Sequence, residues 1–191
     1  MSPLNETRMV QPGAAHEAPT LDLDAIETVR SAAVVPAANA ANAADAVWRK
    51  GLIKLLNDTL ATELVCVLRY KRHHYTAHGL ASPRIAEEFA VHADEEMTHA
   101  DRLAKRIVQL GGEPDFAPDT LTARSHAPYD DSAALKAMIQ SNLSAERVAI
   151  ESYTQLVRLT GERDPTTRRL LEDILADEQK HAEELLTWLT E

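Results

Sequence analysis

Four landmarks of this chain repeat at one constant offset: Gly79, Pro83, Glu96 and His99 return as Gly161, Pro165, Glu178 and His181. Glu63 and Tyr70 return one position further on, as Glu146 and Tyr153, so the second half has lost a single position between its first glutamate and its glycine. A turn glycine, a helix-opening proline and polar residues repeated in register predict two similar hairpins. The elements are helices: only 6 glycines and 4% aromatics stand against abundant Ala, Leu, Glu and Arg, a composition that favours helix over tightly turned sheet. Apolar residues recur at helical spacing over about 45–78, 83–110, 132–160 and 165–190. Gly79 and Gly161 close the first and third helices, and Ser82-Pro83 and Asp164-Pro165 open the second and fourth as N-cap and first-turn proline. Between the hairpins lies GGEPDFAPDTLTARSHAPYDD, which is too long for a tight turn and predicts a crossover. The expected fold is an all-α four-helix bundle over 46–191, made of two antiparallel hairpins joined by that crossover.

Residues 1–45 hold Pro3, Pro12, Pro19, Pro36 and the run AANAANAADA, and lack the apolar content to fold alone. They read as a flexible N-terminal extension, with LDLDAIETVRSAA as a short amphipathic piece inside it. A formal net charge of −10 argues against binding nucleic acid or anionic lipid and favours cationic ligands. The lone Cys66 requires no oxidising compartment. No apolar run reaches the length of a membrane span, and the polar N-terminus lacks the core of a secretory signal, so cytoplasm is the expected location.

Residues three apart share a helix face, so Glu96 with His99 and Glu178 with His181 each present a carboxylate beside an imidazole. Glu63 precedes the turn glycine Gly79 by nearly the same stretch of helix as separates Pro83 from Glu96. In an antiparallel hairpin this brings both glutamates to about the same height. Glu146 and Glu178 flank their own turn in nearly the same way. Packing the hairpins face to face collects Glu63, Glu96, His99, Glu146, Glu178 and His181 in one layer. One Glu from each of two helices and Glu-x-x-His from each of the others is the donor set of di-iron and di-manganese carboxylate bundles. Four buried glutamates would repel one another, and two divalent ions supply the compensating charge. Carboxylate and imidazole together suit iron in both oxidation states. The bland alternative, solvated charges on helix surfaces, explains poorly why six such residues share one height.

The segments LNDTLATELVCVLRY, HADEEMTHADRLAKRIVQLGGEP, SNLSAERVAIESY and LLEDILADEQKHAEEL resemble the bacterioferritin branch of the ferritin-like superfamily, over roughly residues 50–188. The resemblance implies a ferroxidase centre within each chain. Glu63 and His99 would bind one iron, Glu146 and His181 the other, and Glu96 and Glu178 would bridge them. Fe(II) would be oxidised by dioxygen or hydrogen peroxide, and ferric oxide stored in a hollow shell of like chains. Met97 stands where that family carries a haem b ligand across a two-fold interface; packing is the other reading of this single residue. Tyr70 matches a family tyrosine near the centre. Two helical turns beyond Glu63, it can hydrogen-bond the metal layer or donate an electron, or be an ordinary buried phenol; Tyr153 has the same choices.

Cys66 reads as a small buried residue. His73, His74 and His78 read either as exposed helix-end histidines or as a surface site for iron. His92 faces the cavity without being a primary ligand. Little chain follows His181, which implies no fifth helix and leaves a shell of 24 or 12 chains, or a dimer, as the expected assemblies. Val91 replaces the inner-surface histidine frequent in bacterioferritins. The same six donors would also serve an oxygen-activating di-iron hydroxylase, a di-manganese catalase or a rubrerythrin-like peroxidase. The absence of a CxxC pair and the presence of Ala149 count against the last.

Overall fold

The structure is a computed structural model and describes residues 43–79 and 82–190. Among them the chain forms four long helices, one short one and no strand: α1 Ala43–Thr76, α2 Ser82–Gln109, α3 Leu121–Arg124, α4 Leu135–Thr160 and α5 Pro165–Thr190. The helices expected from periodicity are therefore all present, with ends moved by no more than a turn. The extension assigned to 1–45 lies outside the described residues, except that α1 begins at Ala43.

The helix ends follow local chemistry. Gly79, Gly111 and Gly161 adopt positive φ after α1, α2 and α4, where a Cβ would be strained. After α2 the Gly111 N–H bonds the Val108 carbonyl at 2.9 Å and the Gly112 N–H that of Ile107 at 2.9 Å, the paired bonds of a Schellman ending. Asp164 caps α5 as expected, its Oδ1 accepting the Thr167 N–H at 2.9 Å. Ser82 differs from expectation: it is the first helical residue of α2, and its hydroxyl donates to the Gly79 carbonyl at 2.7 Å.

α1 pairs with α2, and α4 with α5, as the two hairpins. The crossover between them is strapped along α1. Asn57 donates to the Glu113 carbonyl at 3.1 Å and accepts the Asp115 N–H at 2.8 Å. The Thr62 hydroxyl accepts the His126 N–H at 2.9 Å, and Arg69 and Arg72 donate to the carbonyls of Pro128 and Ser132. Two apolar clusters fill the bundle. One gathers Leu52, Leu56, Leu60, Leu103, Ile107, Leu171 and Ile174; the other gathers Tyr70, Phe89, Met138, Ile139, Leu143 and Leu185. Each such side chain contributes roughly 1.5–3 kcal/mol on burial. Between them, at the height where Ala93, Ala100, Ala145 and Ala149 keep the helices lined with small side chains, lies a layer that is not apolar.

Candidate metal centre

That layer contains Glu63 from α1, Glu96 and His99 from α2, Glu146 from α4, and Glu178 and His181 from α5, each no more than 2% exposed. All six residues expected from the spacing are thus brought together. They form two overlapping sets whose ligand atoms lie within 4.8 Å of one another: Glu63, Glu96, His99 and Glu178, and Glu96, Glu146, Glu178 and His181. The two shared carboxylates divide their oxygens. Glu178 turns Oε1 to His99 Nδ1 at 3.0 Å and Oε2 to His181 Nδ1 at 3.9 Å. Glu96 turns Oε2 to His99 Nδ1 at 3.5 Å and Oε1 to His181 Nδ1 at 3.8 Å. Glu63 Oε2 lies 3.4 Å from the first imidazole only, and Glu146 Oε2 lies 3.8 Å from the second only.

These contacts are close but are not aligned as hydrogen bonds. Glu63 Oε2, Glu96 Oε1, both oxygens of Glu178 and Nδ1 of both histidines are buried without a hydrogen-bond partner. An orphaned buried polar atom costs on the order of 1–3 kcal/mol, so six in one layer need a compensating group. Divalent cations fit: they take lone pairs from every one of these atoms and offset the crowded carboxylates.

The protonation pattern carries the same strain. Burial and then the neighbouring carboxylates push Glu96 and Glu178 well above the usual carboxylate range. Burial opposes charge on Glu146 as well, yet His181, Glu178 and the Tyr70 hydroxyl together hold it down to about 2. Burial pulls His99 down, but Glu178, Glu63 and Glu96 outweigh it and raise the imidazole well above its ordinary range. His181 is raised against burial by Glu146 and Glu95. The layer therefore holds extra protons on the positions a cation would occupy.

Beyond the six, the structure reveals a supporting shell. His99 Nε2 lies 3.3 Å from Asp177 Oδ2, and His181 Nε2 lies 2.6 Å from Glu95 Oε2. A carboxylate on the far nitrogen fixes the ring and leaves Nδ1 free for a metal. The sequence carried a signal for this pair: an acidic residue directly precedes both Glu96 and Glu178, in step with the repeat. The two phenols also join the layer. Tyr70 donates to Glu146 Oε1, and Tyr153 donates to Glu63 Oε1 at 2.7 Å. Both are fully buried, and burial keeps them protonated as donors.

The remaining expectations divide. Cys66 is buried and free, with Arg69 Nη2 donating to its sulfur at 3.3 Å. Met97 is 40% exposed. His74 and His78 contact backbone carbonyls at 2.7 and 2.8 Å near the end of α1. His73 is not the exposed helix-end residue expected from its neighbours: it is fully buried, takes a hydrogen bond from Asn142 at 3.1 Å, and faces Asp130 of the crossover at 3.5 Å. The crossover folds over it. His92 is fully buried beside the layer, with Nδ1 3.2 Å from the Tyr70 hydroxyl and its ring stacked on His181 at 4.2 Å.

The comparisons with known proteins agree with this geometry. The family model of the ferritin-like domain matches residues 53–191. The bacterioferritin of Desulfovibrio desulfuricans is 31% identical over 131 residues, covering 68% of this chain and 69% of that protein. The bacterioferritin of Mycobacterium avium is 28% identical over 139 residues, covering 72% and 83%. Among solved structures, the dodecameric thioferritin of Bacteroides fragilis, a bacterioferritin-related protein, superposes with a TM-score of 0.72 at 31% identity, covering 74% of this chain and 86% of that one. The Desulfovibrio desulfuricans bacterioferritin, with its di-iron site, superposes with a TM-score of 0.67 at 28% identity, covering 75% and 80%. By its repeat, its paired hairpins and these likenesses, the chain belongs to the ferritin-like family, in its bacterioferritin branch.

Proposed function

We propose that this protein is a ferroxidase and iron store. It binds two Fe(II) ions per chain, oxidises them to Fe(III) with dioxygen or hydrogen peroxide, and retains the ferric product within a shell of like chains. One observation carries the reading: Glu96 and Glu178 each divide their two oxygens between two imidazole-anchored positions in a layer of orphaned donors. Such a division holds two ions side by side, which suits an oxidant that takes electrons in pairs, since one peroxide accepts one electron from each of two Fe(II) ions. In this reading Glu63 and His99 hold one ion, Glu146 and His181 the other, and Glu96 and Glu178 bridge.

The chain's own groups prepare the site. Asp177 and Glu95 orient His99 and His181, so that each Nδ1 faces an ion. Tyr70 and Tyr153 hold one oxygen of Glu146 and of Glu63, leaving the other for the metal. Carboxylate oxygens favour the ferric product, while imidazole retains affinity for the ferrous substrate. The shell is supported by the bacterioferritin names of the relatives and by the dodecamer of the Bacteroides fragilis protein. A shell of 24 chains and a dimer are the alternatives. The reducing cytoplasm, where Fe(II) persists, is the proposed setting. No helix among the described residues is long and apolar enough to cross a membrane. A haem b on Met97 would need a second chain to complete its ligands, and it stays outside the proposal.

The test combines light scattering with ultraviolet absorbance, which rises as ferric species form, while Fe(II) is added in air to the purified protein. A large assembly that oxidises iron and retains well over two ions per chain supports storage. A small oligomer that stops at two ions overturns it and favours a non-storage di-metal oxidoreductase, either a di-iron hydroxylase or a di-manganese catalase.

A further inference from the structure

His92 has a proton problem. The single proton of the Tyr70 hydroxyl is given to Glu146 Oε1, so the Tyr70 oxygen, 3.2 Å from His92 Nδ1, is left to accept from that nitrogen. A neutral imidazole carries one proton. The contacts of Glu146 with Tyr70, of Tyr70 with His92 and of His92 with Glu184, the last at 2.9 Å, thus share two protons, and either tautomer leaves one of the two His92 contacts without one. A cation on the Nε2 side, with the imidazole proton on Nδ1, would satisfy both contacts at once. The ring is fully buried and stacked on His181 at 4.2 Å.

Glu88, one helical turn before His92 on α2, completes the picture. One ligand atom from each of Glu88, His92 and Glu184 falls within 4.8 Å of the others, and both glutamates are half-buried. Lys180 lies 3.9 Å from the other oxygen of Glu184, Oε1, and leaves Oε2 to this cluster.

The internal repeat supplies an independent comparison. Carried through the offset that relates Glu96 to Glu178, Glu88 and His92 fall on Leu170 and Ile174, and Glu184 falls on Arg102. At the equivalent place in the fold two of the three positions are therefore apolar, and Ile174 is fully buried in the core. Packing of such a hairpin does not call for a Glu-His-Glu set there. The symmetry is broken here: α2 and α5 together place three metal-binding side chains where the equivalent positions of the repeat have Leu, Ile and Arg.

We propose that Glu88, His92 and Glu184 bind a third divalent cation, on the α2–α5 face beside the six-residue layer. One imidazole with two carboxylates suits a borderline ion such as Zn(II), Co(II), Mn(II) or Fe(II). The ion would take the Nε2 lone pair, while Nδ1–H to Tyr70 sets the ring in the manner of an outer-shell contact. The site is thereby joined to Glu146 through Tyr70. It requires no redox reaction at the buried pair and stands apart from the storage reading.

Zn(II) tests it without redox chemistry. Equilibrium dialysis of the full chain at micromolar free Zn(II) would count ions, and anomalous scattering from crystals grown at that concentration would locate them. The expected result is a peak between Glu88, His92 and Glu184, and one ion per chain fewer in the E88Q/E184Q double variant, with the buried pair still filled. Both substitutions are at half-buried positions and nearly isosteric, so folding is retained. No peak at this place, or a peak that persists unchanged in the double variant, overturns the proposal. A peak here with the buried pair empty would support the third site and refute the proposed ferroxidase instead.

Discussion

Replacing Glu178 by Leu should make the metal-free protein more stable and the metal-loaded protein less so. Glu178 is fully buried, and neither of its oxygens has a hydrogen-bond partner. Leaving buried polar atoms unsatisfied costs on the order of 1–3 kcal/mol, and apolar replacement of poorly satisfied buried charges is often neutral or stabilising by roughly 1–4 kcal/mol. The 3.0 Å contact with His99 is lost and offsets part of this, leaving a net gain of about 1–2 kcal/mol. At about 2–4 °C per kcal/mol for a chain of this size, the Tm of the metal-free variant should rise by about 2–8 °C. In the wild type, metal at a thousand times Kd adds about 4 kcal/mol; E178L, lacking the carboxylate whose two oxygens face the two imidazoles, should lose most of that. The pH dependence has a definite sign. Burial and the carboxylates of Glu96, Glu63 and Glu146 raise the folded pKa of Glu178 above its ordinary value of 4.5. The folded state therefore binds the extra proton, and this contribution is fully present below pH 4.5 and lost as pH rises through the folded value. The advantage of E178L should thus be small in acid and grow toward neutral pH. Thermal scans from acid to neutral pH, with chelator and with Zn(II), would measure all three effects. A metal-free E178L that melts several degrees below the wild type at neutral pH would refute the reasoning and make Glu178 a structural partner of His99.

Zn(II) uptake should release protons, since raised His99, His181, Glu96 and Glu178 give them up to the metal; calorimetry in buffers of different ionisation enthalpy would count them, and no release would contradict the pattern. Y70F and Y153F should each weaken Zn(II) binding about 10-fold or more, because each frees a carboxylate that a phenol holds; unchanged affinity in competition with a chelator would exclude that role. G112A should cost about 1–3 kcal/mol, because a Cβ there would meet Ile53 Cγ2 at 2.6 Å; a double-mutant cycle with I53A should recover part of the loss. D164A removes the cap of α5 and the carboxylate held at 2.9 Å by Arg106, for a loss of about 3 kcal/mol. Burial opposes charge on Asp164 but Thr167 and Arg106 lower its pKa below 3.8, so this stability is present above pH 3.8 and lost as pH falls through the folded value, as acid denaturation of the two proteins would reveal.

The six-residue layer was legible because helical geometry converts sequence spacing into height, and the repeated turn landmarks supplied a common origin for both hairpins. His73 was not legible. Its place near the end of a polar stretch suggests exposure, and only the packing of α4 and the crossover against α1 explains its burial against Asn142 and Asp130. The polar residues of α1 that hold the crossover were not legible for the same reason. Asn57, Thr62, Arg69 and Arg72, which the sequence analysis did not single out, hold the crossover through its backbone. Side chains that satisfy a loop's backbone look like surface residues in one dimension, since the loop carries no periodicity that would identify their partner. Asp177 and Glu95 escaped for a different reason. They sit one residue off the ligand face, and their function follows only once the orientation of each imidazole is known.

The phenols show how the two hairpins define one site. Tyr70 belongs to the first hairpin and serves Glu146 of the second, while Tyr153 belongs to the second and serves Glu63 of the first. Had each tyrosine served a glutamate of its own hairpin, the hairpins could slide past one another with both bonds intact. Because both bonds cross the interface, a slip of one helical turn would break both and leave two buried hydroxyls and two carboxylate oxygens unpaired. The exchange thus fixes the register in which Glu96 and Glu178 reach both imidazoles at once, and a bridging geometry depends on that register. The equivalence ends at the next contact out. Tyr153 is sealed among Leu156, Leu171 and Ile174, whereas Tyr70 continues through His92 to Glu184, which is 37% exposed. Two positions made alike by the repeat are thereby made unlike by one residue pair, His92 against Ile174. Of the two ligand sets, the one containing Glu146 and His181 is therefore linked through Tyr70 and His92 to the partly exposed Glu184, and the phenol of the other set ends in apolar core.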